Sequence, residues 1–395
     1  MSTGQQRLAR WGLWGASAGI TGFYLLSLAR TVADTLSAPP LSAPPKDAPP
    51  AANLPRVSVI VPARDEERSI VRCVESLLAQ DYPDFEVIVV DDGSTDATPA
   101  LLARLRQSAA GRARLRVARV DELPRGWAGK PHALHTGTGL ATGKWLLFTD
   151  ADTHHAPNAL RAAVTRAERE GADLFTIGSL QEAPDFWTRT LMPIAYMGIS
   201  FMYPPTLVNN PRSRVAIANG QYLLIRRAVY QRLGGYDTPE LRGTIVDDLR
   251  LAETVKRSGG RLLFVDGRDF VATRMYQSLA EHWNGWGKNG AIGSRGGALG
   301  AALMTPGLPL ITVGPFALLA GGLLRRDWRM TLAGVAPVAA LLGYRAYLDR
   351  QLRIPLRYGW THPLGGLIFT GILMRSVWRQ ARGETVPWRG RSYAV

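Results

Sequence analysis

Apolar positions along this chain follow two rhythms. Between about residues 56 and 275, short apolar runs end on clusters of acids and give way to helical spacing, whereas near both ends the apolar residues merge into long stretches with few charges. In the middle region, Val57-Ser58-Val59-Ile60-Val61-Pro62 reads as a buried strand, and Ile70, Val74, Leu77 and Leu78 then recur at helical spacing. Glu86 to Val90, Leu146 to Phe148 and Asp173 to Gly178 read as further strands, with a weaker one over Leu115 to Val120. Helices are expected over Ala133 to Ala141, after Pro157-Asn158, and from Asp247 onward. Asn219-Gly220-Gln221-Tyr222 opens another strand-to-helix unit that closes on Gly234-Gly235-Tyr236-Asp237. Strand, acidic loop and helix recurring in this order predict an α/β fold: a mostly parallel sheet with helices on both faces.

The ends read differently. Trp11 to Ala29 is about as long as a bilayer core requires and lacks a clear small-residue cleavage site, which favours a retained anchor over a signal peptide. Ser37 to Pro55, with Pro39-Pro40, Pro44-Pro45 and Pro49-Pro50, reads as a semi-rigid spacer that holds the next domain off the membrane. Met192 to Leu207 is apolar but interrupted by Pro193, Pro204 and Pro205, too short and broken to span, and is either membrane-facing, acceptor-lining or a core helix. Tyr276 to Gly290 is amphipathic, and His282, Trp283, Trp286 and Lys288 suit a helix lying in the membrane interface. Three apolar runs follow, over Leu299 to Leu324, Met330 to Leu348 and Leu364 to Trp378, with Arg345 and Arg375 expected to snorkel from span ends.

Charge and cysteine content narrow the classes. A formal net charge of +15, mostly from arginine, fits an anionic membrane surface or phosphorylated substrates; no zinc pattern, RNA-recognition motif or basic zipper helix points to nucleic acid. The single cysteine, Cys73, excludes an intramolecular disulfide and reads as a small buried hydrophobe.

The candidate chemistry lies where strands end. Thr149-Asp150-Ala151-Asp152 puts two carboxylates one residue apart after an apolar strand, and the chain must turn there if both are to meet one ligand. Ligands of open α/β sheets bind outside the carboxyl ends of strands, and Mg²⁺ or Mn²⁺ takes carboxylates together with substrate phosphates. Asp152 is therefore a candidate metal ligand, and Asp150 a nucleotide or metal contact. Asp92, in Asp91-Asp92-Gly93-Ser94-Thr95-Asp96, can face a base or ribose, with Asp65 of Asp65-Glu66-Glu67 in the same crevice; Ser94 and Asp96 also suit a turn and helix cap. Lys130, in Gly129-Lys130-Pro131, precedes a helix N-terminus and suits a phosphate. Asp247-Asp248 opens a helix, where acids favour the dipole, and also supplies a carboxylate base for transfer to a hydroxyl.

Taken in order, Val-Ile-Val-Pro-Ala-Arg-Asp-Glu-Glu at 59–67, Val-Asp-Asp-Gly-Ser-Thr-Asp at 90–96, Gly-Lys-Pro-His-Ala-Leu at 129–134, Thr-Asp-Ala-Asp at 149–152 and Val-Asp-Asp-Leu-Arg-Leu-Ala at 246–252 resemble the membrane-bound family 2 glycosyltransferases of the GT-A fold. The tail Trp388-Arg389-Gly390-Arg391-Ser392-Tyr393 and the span layout also resemble enzymes that glycosylate hopanoids or carotenoids. The resemblance implies a nucleotide-diphosphate sugar donor, a UDP-sugar before others, held by Asp65, Glu67, Asp92, Lys130 and Asp150. It implies Mn²⁺ or Mg²⁺ on Asp152 with Asp150, and Asp248 as catalytic base beside Asp247. The family's Glu-Asp pair is Asp-Asp here, which leaves the division of labour between 247 and 248 open. Glu281-His282-Trp283-Asn284-Gly285-Trp286 stands where processive synthases carry Gln-x-x-Arg-Trp without reproducing it, which favours adding one sugar.

The implied organisation is an anchor (1–36), a linker (37–55), a GT-A domain (56–275), an interfacial segment (276–298), transmembrane helices (299–380) and a basic tail (381–395). The implied function is inverting transfer of one sugar to a hydroxyl of a membrane lipid; a processive polysaccharide synthase and a non-catalytic nucleotide-sugar-binding scaffold are the rival readings. A multi-pass protein of the cell membrane with a cytoplasmic catalytic domain is expected, which places the N-terminus outside. Arg325-Arg326 and the Arg-rich tail stand against that orientation unless the run over Leu299 to Leu324, made irregular by Pro306, Pro309 and Pro315, is a re-entrant hairpin instead of a kinked span.

Overall fold

Strand residues 57–63 alternate between two apolar layers, and that alternation explains the architecture. The computed structural model describes residues 3–37, 40–44, 53–289, 302, 305–388 and 391–393. Much of the expected linker, the end of the interfacial segment and the start of the run from Leu299 lie outside the described residues. The strands of the main sheet are β1 (Val57–Ala63), β2 (Phe85–Asp91), β3 (Leu115–Arg119), β4 (Trp145–Phe148), β6 (Leu174–Gly178), β8 (Leu223–Arg226) and β9 (Leu262–Asp266), in the order β3-β2-β1-β4-β8-β6-β9. All neighbours are parallel except β8, which runs antiparallel to both β4 and β6.

Because successive strand side chains face opposite ways, Val57, Val59 and Val61 enter one apolar layer while Ile60 enters the other. The first layer includes Ile70, Val74 and Leu77 of the helix Ile70–Leu78 and Leu160 and Val164 of the helix Ala159–Arg169. The second includes Ala133 and Leu134 of the helix Gly129–Leu140. Helices thus cover both faces, and the carboxyl ends of the parallel strands are the open edge. Ser58, the polar member of β1, is buried but donates to Glu86 Oε1 (2.8 Å) and accepts from Gly143 N (2.8 Å), so its hydroxyl costs little to bury. A small second sheet, β5 (Thr153–His155), β7 (Leu180–Gln181) and β10 (Val271–Thr273) in the order β5-β10-β7, closes over one side of that edge; the sequence pattern did not predict it.

Outside the sheet, Trp11–Ser37 and Trp328–Gln351 are long and apolar enough to cross a membrane. These helices pack together, with Tyr24, Leu341, Tyr344 and Leu348 in their shared core. Leu41, within the expected spacer, is buried instead of standing clear, and its N–H donates to Asp266 O (2.7 Å).

Where prolines interrupt the apolar segments, side chains from elsewhere take up the carbonyls they free. Proline has no N–H and so deprives the carbonyl four residues earlier of its helical partner. Pro193 sits inside the helix Phe186–Met202, and the carbonyl of Arg189 accepts from Arg345 Nη2 (2.7 Å). Pro337 sits inside Trp328–Gln351, and Ala333 O accepts from Ser17 Oγ (2.7 Å). Pro315 opens the helix Gly314–Arg325, and Ile311 O accepts from Tyr24 OH (3.1 Å). The Pro193 interruption expected from sequence is thereby bridged. Arg345 corrects a second expectation: it does not snorkel but is fully buried, with Nε donating to Asp349 Oδ1 at 2.7 Å. Two of the three capped carbonyls take their donor from the N-terminal helix, which fixes its register against the C-terminal bundle.

Candidate active site

The central strand β4 stops at Phe148, and the chain turns through Ala151 and Asp152 before β5 begins. Backbone contacts hold that turn: Thr149 Oγ1 donates to Gln221 O (2.7 Å), Thr153 Oγ1 donates to Asp150 O (2.8 Å) and Arg274 N to Asp152 O (3.4 Å). The turn brings Asp150 and Asp152, which would face opposite ways on an extended strand, onto one cavity of about 680 Å³. Asp92, Lys130, Asp247 and Asp248 line the same cavity, which gathers most of the predicted residues from four separate segments of the chain.

Lys130 lies in the first turn of a helix that starts at Gly129, four residues earlier than the pattern predicts. Its Nζ is 2.7 Å from Asp150 Oδ1 and 3.7 Å from Asp247 Oδ1. Burial alone would lower its pKa, but Asp150, Asp247 and Asp248 outweigh it and hold the amine above the ordinary lysine range. Gly220 allows this convergence, since a Cβ there would stand 2.8 Å from Lys130 Nζ and 3.3 Å from Asp248 Oδ2.

The paired acids at the start of the helix Asp247–Arg257 are not equivalent. Asp247 is buried, accepts from Tyr236 OH (3.3 Å) and has its pKa raised by burial, against the pull of Lys130. Asp248 is half-buried at the cavity wall; its Oδ2 accepts from Gly220 N (2.9 Å) and its Oδ1 from Leu249 N (2.8 Å).

Asp65 and Glu67 occupy a different position. Asp65, in the left-handed region at φ 52°, accepts from Thr95 N (2.8 Å), and Glu67 Oε2 accepts from Ala97 N (3.1 Å). Both brace the loop after β1 against the loop after β2, while their neighbours Arg64 and Glu66 line the cavity. Asp96 takes the capping role open to it, accepting Thr98 N at 2.9 Å.

Sequence reasoning missed the opposite wall. The helix Leu279–Asn289 contributes Glu281, Asn284 and Lys288, and the helix His362–Ala381 contributes Arg375 and Arg379, so cations from the C-terminal bundle face the acids of the sheet. Arg375 and Arg379 are spaced i, i+4 on one helical face, which is the signal that could have marked them. His282 is buried and Trp286 packs on Phe369 with ring centroids 5.8 Å apart, so one face of the amphipathic segment is committed to the bundle.

An open, mostly parallel sheet with carboxylates converging on a cavity at its carboxyl edge is the arrangement of the GT-A glycosyltransferases. Comparison with a solved structure agrees on the fold: mannosyltransferase PcManGT from Pyrobaculum calidifontis, in complex with GDP-Man and Mn²⁺, superposes with a TM-score of 0.52 at 22% identity, over 94% of this chain and 97% of that one. Residues 58–234 match the family described as Glycosyl transferase family 2. The 4,4'-diaponeurosporenoate glycosyltransferases of Staphylococcus aureus strains MRSA252 and USA300 are 27% and 28% identical over 353 residues, 86% of this chain and 88% of each relative. Over residues 58–234, just under half of its length, this chain is thus similar to the family 2 glycosyltransferases.

Proposed function

We propose that the chain transfers one sugar from a nucleotide-diphosphate sugar to a hydroxyl of a membrane lipid, by single displacement with inversion. The observation that carries this reading is the cavity itself: carboxylates and a helix-terminal lysine on the sheet side, and a wall of apolar-bundle helices on the other. A donor entering from the sheet edge and a lipid head entering along the bundle would meet there. The named acceptor of the Staphylococcus relatives, diaponeurosporenoate, supports an apolar acceptor of the carotenoid kind. The two apolar helices support a membrane setting, in which we place the catalytic domain on the cytoplasmic side, where nucleotide sugars are made.

Asp150 and Asp152 suit a divalent cation by their chemistry, since both are hard oxygen donors lining the cavity. Among the described residues no group of three acids or histidines would hold an ion alone, so the phosphates of the donor would complete the shell. The Mn²⁺ in the PcManGT complex supports the same reading. Asp152 would hold Mn²⁺ or Mg²⁺, with Asp150 shared between the ion and Lys130. When bound, the ion supplies positive charge to the departing diphosphate.

The remaining work falls to the chain's own groups. Lys130, at a helix N-terminus, faces the phosphates, and the end of the cavity at the buried Asp92 takes the nucleoside. Asp248, steadied by two backbone N–H groups, takes the proton from the acceptor hydroxyl as its oxygen bonds to the anomeric carbon. The bond from that carbon to the diphosphate oxygen breaks on the opposite face, and the nucleoside diphosphate leaves. The transferred sugar should therefore carry the anomeric configuration opposite to that of the donor, read from the proton coupling of the isolated glycolipid; retention would contradict direct displacement.

A further inference from the structure

The residues read from sequence as a basic tail fold back as a hairpin of β11 (Val386–Trp388) and β12 (Arg391–Tyr393). From it, Arg391 reaches a carboxylate 299 residues away: Nη1 donates to Asp92 Oδ2, and Nη2 to Asp92 Oδ1 at 3.1 Å. The Asp92 side chain is 5% exposed and that of Arg391 18%, so this two-pronged pair is largely withdrawn from water. On its main-chain side Asp92 is also fixed, with Arg64 Nη1 donating to its carbonyl at 2.5 Å and its N–H donating to Ala63 O at 2.8 Å.

We propose that Arg391 is a positioning residue of the donor site: the C-terminal hairpin supplies the guanidinium that orients Asp92 and balances its charge at the nucleoside end of the cavity. The inference rests on the reading of that cavity as a nucleotide-sugar site. Its physical basis is electrostatic. The sheet wall presents Asp92, Asp150, Asp152, Asp247 and Asp248 to a donor whose diphosphate is itself anionic. A buried carboxylate without a counter-charge is costly and repels that diphosphate, whereas the planar guanidinium fixes both carboxylate oxygens in one geometry. A lysine keeps the charge but not the two-pronged hold. The segment after the last apolar helix thereby becomes part of the donor-binding apparatus of the sheet domain.

The test uses the full chain in detergent, with UDP and GDP as probes of equilibrium binding and steady-state kinetics with the accepted donor. Wild-type protein that binds neither nucleotide would sink the donor-site reading itself. Where wild type binds, Arg391→Ala should raise both nucleotide Kd and donor KM by about tenfold or more, the usual effect of removing one partner of a buried charge pair. Its kcat should stay within about twofold, because the chemical step does not involve this end of the site. Arg391→Lys should recover part of the loss, and it carries the test if the alanine variant does not fold. Unchanged Kd and KM overturn the proposal. So does tighter nucleotide binding, which would make the hairpin a plug, and so does a loss confined to kcat.

Discussion

Asp248→Asn should bind nucleoside diphosphate like the wild type and lose about 10²- to 10⁴-fold in turnover, the range that a general base ordinarily contributes. The substitution keeps the shape and one of the two bonds accepted from Gly220 N and Leu249 N, since the amide has a single acceptor oxygen, and it removes the ability to take a proton. Asp247→Asn separates the two acids. Asp247 is buried against Tyr236 and close to Lys130, so its loss should disturb the lysine and raise donor KM more than it lowers kcat. Single-turnover rates with saturating donor, measured beside nucleotide affinity, check both. Near-normal turnover in Asp248→Asn would move the base to another group.

The second large effect is expected at Asp152. Asp152→Ala should lower kcat/KM by about 10²-fold or more, since a cation at a departing diphosphate is worth several kcal/mol. It should also remove the dependence of nucleotide affinity on Mn²⁺ or Mg²⁺. Titrating nucleotide binding with and without each cation, in wild type and variant, reads this directly. A variant whose binding still rises with added cation would take Asp152 out of the site. Asp150→Ala should differ, because Asp150 also holds Lys130 at 2.7 Å; its loss should weaken nucleotide binding even without added metal.

How much of this was legible in the sequence depends on the range of each interaction. The buried strands 57–63 and 85–91 were readable because apolar content and the acids that follow are local signals, and Asp92, Asp150, Asp152, Asp247 and Asp248 fall at the strand or helix ends where they were expected. Glycine and Pro131 argue against a helix interior and so predict a start at Ala133, whereas the helix begins at Gly129, four residues earlier, because proline in a first turn is well tolerated. Strand β8 could not be assigned its antiparallel direction, since direction is a property of the pairing and not of Leu223–Arg226 alone. The proline in 186–202 read as a break because the donor that mends it, Arg345, lies 156 residues away; the same distance hid the burial of that arginine. The Arg391 contact with Asp92 was out of reach for the same reason. Asp65 and Glu67 share a motif with the cavity residues, and only the three-dimensional course of the loop after β1 separates those that brace from those that line.

The measurement that bears most directly on the central claim is incubation of the purified chain with Mn²⁺, a panel of nucleotide sugars and total membrane lipid, following nucleoside diphosphate release and the mass of the lipid. Release with one accepted donor, matched by a lipid that gains a single sugar increment, is the predicted result. A ladder of increments would contradict single transfer in favour of polymerisation, and the absence of release with every donor would contradict catalysis at this cavity.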